Sequence, residues 1–526
     1  MRKSSQVWLP ILLACLATAV ASAQSFRVQC PTSTITHPSN LTNVNAEPPY
    51  TGPTVLATNA QGFLAPNLNV NGAIKCQQIS GGDGYSTMGD GAWVYMFSFG
   101  PLSGLADIAN GQPGTEFPNV FNTVYPGVLQ PGDPATTGLG TFTYNGAVGL
   151  LPNVDANGGA GTAGAPLDGH VDPRAIMDVG VMNGNIPAPL MAIDEDDEFF
   201  LTLTNVGMIM RPDLFEQHTV HFHGYPNASS FYDGVPDASV AINIGASFTY
   251  YYLAPDAGTY FWHCHITPPE HLQMGMVGQI YVRPRQDRVP LGGDLYTYLG
   301  YQENDLRTKC DSKTDILCSN PLPAVNTGAT RAATGNYAYN DGDGSTYYDV
   351  EYPIKIHGFD PNFHFVGMTF NPEAFADMKD KYFLLNGRSY PDTVTPGTMQ
   401  TISSDGRSHF SQPLPSIINI KAGQKALLRI SDLDVTEFQT LASLGIPMEV
   451  IAINAKLLRD QAGNNLYFYT NSITLGGGES LDVILDASDT TKYQAGQVFY
   501  LYTPNLDHLS NDAENFGGLM TEVHIN

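Results

Sequence analysis

The chain has 526 residues, of which 14% are charged; 50 are Asp or Glu against 24 Lys or Arg, a formal net charge of −26. So few basic groups exclude a nucleic-acid-binding surface, which needs clustered Lys and Arg to neutralise phosphate. Gly (53) and Pro (37) are too frequent for a helical bundle, and 42% hydrophobic with 10% aromatic residues is enough to fill a large core and exclude disorder.

Arg2 and Lys3 open the chain, an apolar run follows from Trp8 to Val20, and Ala21-Ser22-Ala23 closes it. This pattern predicts a secretory signal peptide over residues 1–23, too short to span a membrane. Leu12-Leu13-Ala14-Cys15 offers lipoprotein anchoring at Cys15 as the alternative. The expected location is secreted, periplasmic or cell-surface, with no transmembrane span. In an oxidising compartment most cysteines pair. The spacing suggests Cys310 with Cys318 and Cys30 with Cys76, which leaves Cys264 alone.

Residues 24–84 read as an N-terminal extension rich in Asn, Thr, Pro and Gly. Trp93–Phe99 is the first strand-like run, and 101–175 reads as a long Gly/Pro/Asn-rich insertion. Phe199–Thr204, Ser247–Tyr252 and Ala426–Ile430 are further strands, dominated by β-branched and aromatic residues. Pro372–Asp380 is the one stretch that suggests a short helix. The fold class is therefore all-β, with two sandwich domains at 85–285 and 286–526 joined near Arg283-Pro284-Arg285. Met182-Asn183-Gly184-Asn185-Ile186-Pro187 and Leu385-Asn386-Gly387-Arg388-Ser389-Tyr390-Pro391 echo one another, which suggests two copies of one fold.

Two acidic features accompany these strands. Asp194–Glu198 is a run of five acids, expected as a solvated turn, with attraction of cationic donors as the alternative. Asp341-Gly342-Asp343-Gly344-Ser345 has part of a calcium loop but lacks its closing glutamate.

The chemistry concentrates between 218 and 276. His218, His221 and His223 are followed by His263-Cys264-His265, His271 and Met276. Residues two apart on a strand share a face, so His221 pairs with His223 and His263 with His265, while Cys264 points the other way. A thiolate, two imidazoles and a distant thioether form the ligand set of a blue-copper site. His218, Cys264, His271 and Met276 supply it, with Met274 as a second axial candidate. Zinc could also take two histidines and a cysteine, although a weak methionine has no purpose there. Asp233 could relay protons as an acid; a turn role for Asp233-Gly234 is the plain alternative, and Asp237 lies nearby.

His221-Phe222-His223-Gly224, Asp233-Gly234-Val235-Pro236 and Gly258-Thr259-Tyr260-Phe261-Trp262-His263-Cys264-His265 resemble the multicopper oxidases and their cupredoxin domains. The segment from Asn183 to Pro189 is similar to the stretch before that family's first metal-bearing strands. Leu385-Asn386-Gly387 and Ile473–Ser480 extend the resemblance into the second block, so that it covers about 176–526. It implies Greek-key β-sandwiches and a type 1 copper held by His218, Cys264, His271 and Met276. It further implies that His221, His223, His263 and His265 form half of a type 2/type 3 copper site that reduces dioxygen. His263 and His265 flank Cys264, so the backbone would carry electrons between the two.

The family pattern needs four His-x-His pairs from two domains, and this chain has two. His37, His170, His357, His364, His409, His508 and His524 form no such pair. Glu437–Met448 and Phe499–Thr503 stand where a copper-bearing second domain would carry ligands, and contain none. A second copy of the chain could complete the cluster, making a homo-oligomer. A partial site in one chain is the alternative. A trimeric copper nitrite reductase is a further one, opposed by His221, where those enzymes carry aspartate, and by His265, where they carry a small residue. The expected function is a secreted copper-dependent oxidoreductase that oxidises a one-electron donor, such as a phenol or a metal ion, and reduces dioxygen. A non-enzymatic blue-copper electron-transfer or structural surface protein is the alternative.

Overall fold

The computed structural model describes residues 30–39, 46–121, 184–300, 321–369 and 374–526, apart from short breaks at 105–106, 109, 209, 212, 215, 225–228, 245, 255 and 403–407. The expected signal peptide with Cys15, the expected Cys310–Cys318 pairing and most of the expected insertion lie outside the described residues.

Eight strands build the two main sheets of the first half, beside a small hairpin of Val55–Thr58 and Leu64–Leu68. The eight are β1 (Ile74–Thr87), β2 (Trp93–Pro101), β3 (Met191–Asp194), β4 (Glu198–Gly207), β5 (His221–Phe222), β6 (Ser247–Leu253), β7 (Gly258–His263) and β8 (Val277–Arg283). One sheet has the order β2-β1-β4-β6 and the other β3-β8-β7-β5. Period-two alternation divides their faces. Phe199, Leu201 and Leu203 of β4 turn inward to meet Phe248, Tyr250 and Tyr252 of β6 and Phe97 and Phe99 of β2. Phe200 turns outward to a smaller cluster with Cys76 and Phe121. That cluster sits at the Cys30–Cys76 disulfide, the one expected from spacing.

The second half repeats the plan with β9 (Val350–Phe359), β10 (Tyr382–Leu385), β11 (Ile418–Ile420), β12 (Lys425–Asp432), β13 (Gln439–Leu444), β14 (Met448–Ile453), β15 (Ser472–Leu475), β16 (Glu479–Asp486), β17 (Val498–Tyr502) and β18 (Met520–Ile525). One sheet runs β14-β16-β12-β9-β10 at its centre and the other β11-β18-β17-β13-β15. In each half the first long strand pairs in parallel with a later one, β1 with β4 and β9 with β12, and that one pairs antiparallel with β6 or β16. The repeated motif seen in the sequence thus corresponds to a repeated topology, two cupredoxin-like β-sandwiches. Two short helices matter for the site, α1 (Pro268–Gln273) and α2 (Pro361–Thr369). Of the helix expected at Pro372–Asp380, the described part from Ala374 onward forms a single 3-10 turn at Phe375–Asp377, and α2 before it was not expected.

Two expectations are corrected. The stretch 24–84 is not all extension, because β1 begins at Ile74 and lies at the centre of the first sheet. The acidic run is not solvated: Asp194, Glu195, Asp196, Asp197 and Glu198 are all buried. Their carboxylates are met by partners distant in sequence. Arg285 makes a two-pronged contact with Asp196 at 2.8 and 2.6 Å, and Arg288 reaches the same carboxylate at 3.2 Å. Glu198 pairs with His37 at 2.6 Å, and Asp197 accepts the Ala73 and Asp194 N–H groups. The loop at 341–345 is likewise internal, with Asp341 accepting N–H groups of its own loop and Asp343 paired with Arg459 at 2.7 Å.

The halves meet on β7 and β8. Phe261, Leu272 and Val277 pack with Met88, Ile186, Phe359, Leu384 and Leu433. Polar contacts cross the same boundary: Thr259 donates to Asp482 at 2.5 Å, Ser480 to the Thr259 carbonyl at 2.8 Å and Gln279 to the Arg429 carbonyl at 2.7 Å. Among the described residues no helix is long and apolar enough to cross a membrane.

Candidate metal centre

Antiparallel pairing of β5 with β7 places His221 opposite His263 and Phe222 opposite Trp262. The His223 N–H donates to the Phe261 carbonyl at 3.0 Å and extends the register by one residue. All four His-x-His imidazoles therefore gather on one face. Ring centroids of His221 lie 5.0 Å from His223, 5.5 Å from His263 and 5.0 Å from His265. Nitrogens of His221, His223 and His263 fall within 4.8 Å of one another, and Nε2 of His223 is 2.8 Å from Nε2 of His263.

Backbone carbonyls fix these rings. His221 donates from Nδ1 to the Asp233 carbonyl at 2.7 Å, and His263 from Nδ1 to the Cys264 carbonyl at 2.7 Å. A neutral imidazole that donates from Nδ1 keeps its lone pair on Nε2, the tautomer a metal requires. Burial, then the neighbouring imidazoles, push His223 down to about 4. Burial pushes His263 down to about 3, against the pull of its bond to the Cys264 carbonyl. Both rings are thus neutral near pH 7. The Asp233 carboxylate is 3.6 Å from His221 Nδ1, beside the cluster as its sequence position suggested.

Cys264 turns to the opposite side. Its sulfur, His218 and His271 place ligand atoms within 4.8 Å of one another, all fully buried. His271, on α1, has Nδ1 3.3 Å from Cys264 Sγ, and the Thr219 N–H points at the same sulfur from 3.4 Å. His218 is held by a two-way backbone bridge to Ile242. Burial pushes the Cys264 thiol up, but His271 and His218 outweigh it and hold the thiol well below its usual range. Burial likewise lowers His271, yet the thiolate outweighs it and lifts the imidazole to about 10.

Met276 is fully buried in the same core, and its carbonyl accepts the Cys264 N–H at 3.2 Å. Met274 is also buried, but its sulfur is turned against α2, where a Cβ on Gly367 would meet it at 3.4 Å.

The donor sets fit copper. Both ring nitrogens of His218 are buried without a hydrogen-bond partner, which a structural histidine rarely tolerates and a ligand requires. Gly81 leaves a cradle for that ring: a Cβ there would stand 2.7 Å from His218 Cδ2. A thiolate beside two imidazoles is a soft, electron-rich set suited to copper.

Several contributors escaped the sequence reading. Thr219 and Gly81 are two. Glu216, whose carboxylate is 3.4 Å from His271 Nε2, is a third. The fourth is the far wall of a cleft of about 500 Å³, in which His223, His263 and His265 face Asp434, Glu437 and Phe438 of the second half. The only signals were a double glycine inside a strand and an acid-rich loop following one. Among the described residues no histidine of the second half joins either group. His37 pairs with Glu198, His524 with Glu522, and His508 with Glu437 and Gln439; His357 and His364 are buried against backbone carbonyls.

A family model described as multicopper oxidase matches residues 168–287. A laccase, abr2, of Aspergillus fumigatus is 33% identical over 109 residues, 20% of this chain and 17% of its own length. A copper-containing nitrite reductase of Rhizobium meliloti is 34% identical over 121 residues, 22% of this chain and 29% of its own. The solved structure of a multicopper oxidase named mgLAC aligns with TM-score 0.47 and 15% identity, over 86% of this chain and 87% of that one. The chain thus spans under a third of the length of these curated relatives. The stretch that matches the multicopper oxidase model, residues 168–287, carries both histidine groups and Cys264.

Proposed function

We propose that the protein is a secreted copper-dependent oxidoreductase of multicopper oxidase type, which takes single electrons from a small donor and delivers them to dioxygen. The observation that carries this reading is the adjacency of two donor sets across one peptide unit. His263 belongs to the imidazole cluster, Cys264 to the thiolate site, and the bond from His263 Nδ1–H to the Cys264 carbonyl links them. We assign His218, Cys264, His271 and Met276 to a type 1 site, and His221, His223, His263 and His265 to the oxygen-reducing site. Copper in these sites would supply one-electron redox chemistry, so that electrons drawn from the donor could reach dioxygen.

The chain's own residues set the conditions. Phe97 packs edge-on against His271 at 5.1 Å and the surrounding core keeps water from the thiolate. Thr219 steadies the sulfur charge with its N–H. Glu216, partly exposed beside His271 Nε2, places negative charge where a donor would approach, which favours a cationic donor such as a metal ion or a phenol that must shed a proton. Asp233 orients His221 through its carbonyl and has its carboxylate in position to move protons. We assign residues 1–23 to the signal peptide, 24–73 to an extension, 74–285 to the metal-bearing domain with its insertion, and 286–526 to a domain without a full copper site.

The test is copper stoichiometry together with oxygen uptake. Several coppers per chain, a thiolate-to-copper colour and oxygen consumption with a phenol or metal-ion donor are expected. Cys264→Ser should remove the colour and leave imidazole-bound copper. One copper per chain with colour but no oxygen uptake would describe an electron-transfer protein instead and sink the oxidase reading.

A further inference from the structure

The second half holds buried titratable groups that the sites above do not use. Asp380, two residues before β10, and Asp434, two residues after β12, bring their carboxyl groups together over Gly358 of β9. A Cβ on Gly358 would stand 2.2 Å from Asp380 Oδ2 and 2.8 Å from Asp434 Oδ2, so the pair exists only because that strand position has no side chain. The Thr436 hydroxyl lies between them, bonded to Asp380 Oδ2 and, at 2.9 Å, to Asp434 Oδ1. A hydroxyl has one proton to donate, so serving both carboxyls asks for a proton on one of them. Two carboxylates this close do not both stay ionised.

The pair also occupies a particular place. Asp434 lines the cleft faced by His223, His263 and His265. Asp380 lines a second cleft of about 410 Å³, shared with Lys381 and His508. Glu437 borders both. The carboxyl pair is therefore part of the wall between the two clefts. On the inner side Asp380 accepts a hydrogen bond from Gln273 of α1 at 2.9 Å, and Asp434 accepts one from Gln439 at 2.7 Å. Gln439 continues to His508 Nδ1 at 2.9 Å, whose Nε2 meets the half-exposed Glu437 at 2.9 Å.

We propose that Asp380 and Asp434 pass protons through this wall, from the second cleft to the histidine cleft, where oxygen reduction would consume them. The inference rests on the oxygen-reducing reading above. Four electrons from four donor oxidations and four protons convert one dioxygen to two waters. Each proton that Asp434 gives to reduced oxygen is replaced from Asp380, which takes its own from water in the second cleft. The charged and titratable groups facing the pair are Lys355 and His357 of β9, Asp432 at the end of β12, and Glu437 and His508. The Lys355 ammonium is fully buried with no hydrogen-bond partner and stands 5.7 Å from the centroid of Phe261, whose ring packs against His223 at 4.3 Å. Burial, then the Asp434 charge, hold Asp380 well above the usual carboxylate range.

The test uses Asp434→Asn, Asp380→Asn and Thr436→Val in the full chain. In the metal-free protein, infrared titration should show a carboxylic C=O stretch that persists through neutral pH and is lost in either Asn variant. In the copper-loaded protein, Asp434→Asn should slow oxygen uptake about a hundredfold and displace its pH profile, while anaerobic bleaching of the blue colour by donor stays unchanged. Thr436→Val, which keeps both carboxyls but removes the hydroxyl that donates to them, should raise the titration point of the infrared band without abolishing it, and it decides the matter should an Asn variant fail to fold. Absence of the band in wild type, or oxygen uptake with an unaltered pH profile in Asp434→Asn, overturns the proposal. A wild type that shows the band but consumes no oxygen overturns the oxygen-reducing reading and the proton delivery with it, and leaves the shared proton standing as a structural feature.

Discussion

Gly81→Ala puts the first site under direct test. The ring of His218 rests on the bare backbone of β1, with an added Cβ 2.7 Å from Cδ2, 3.2 Å from Cγ and 3.5 Å from Nε2. Carbon atoms settle at about 3.5–4.0 Å, so the ring must retreat by roughly 1 Å. Retreat drives it toward Cys264 and His271, in a site where ligand distances tolerate only about ±0.2 Å. Overpacking of this kind costs about 1–3 kcal/mol, which is roughly a 5- to 150-fold loss if it falls on metal affinity. Copper affinity is read by competition with a chelator, the ligand field by the visible spectrum, and the fold by urea unfolding of metal-free protein. Gly300→Ala, whose added Cβ meets nothing within 4 Å, is the matched control. A Gly81→Ala protein with wild-type affinity and an unshifted spectrum would show that His218 is not a ligand held against β1.

Asp196→Asn should lower stability by about 3–5 kcal/mol in urea, because it leaves Arg285 and Arg288 buried without their shared carboxylate; a loss under about 1 kcal/mol would mean that the guanidinium groups find other partners. Partial burial raises the Glu351 pKa, but Arg283 and then Arg429 outweigh it and bring it down to about 2. A carboxyl whose folded pKa is depressed stabilises fully above its unfolded value and loses that contribution as pH falls. Wild type should therefore weaken between about pH 4.5 and about pH 2, and Glu351→Gln should flatten that part of the curve in acid unfolding. Equal slopes for the two proteins would refute the pairing.

The ligand constellation was legible because its information is local. His-x-His on a strand and His-Cys-His at a strand end fix faces by period two, and no tertiary knowledge is needed. The strand β1 was hidden by its own Ile79-Ser80-Gly81-Gly82-Asp83-Gly84, which reads as a turn. It is continuous sheet because each glycine answers a close approach: Gly81 to His218, Gly82 to Val206, Gly84 to the Gly184 carbonyl. The acidic run misled for the complementary reason. Its partners, Arg285, Arg288 and His37, come from segments up to 161 residues away, and nothing along the chain announces that they will meet. The absence of a second ligand set was plain from the histidine count, but what replaces it, a wall bearing Asp434 and Glu437, depends on how the halves pack.

That packing has a bearing on how the protein can be handled and how it melts. Strand β7 carries His263 and leads directly into Cys264, and it has no solvent face: Thr259 is tied to Asp482 and Ser480, and Phe261 is walled in by Phe359 and Leu433. Cutting the chain after Arg285 would strip this strand, expose an aromatic ridge and orphan the Gln279 amide that Arg429 now occupies. An isolated first half should precipitate rather than bind metal. The intact chain should show one calorimetric transition for both sandwiches, since neither can open without unwrapping the other. The second sandwich thus acts as a permanent, covalently attached chaperone for the strand that carries His263 in the first.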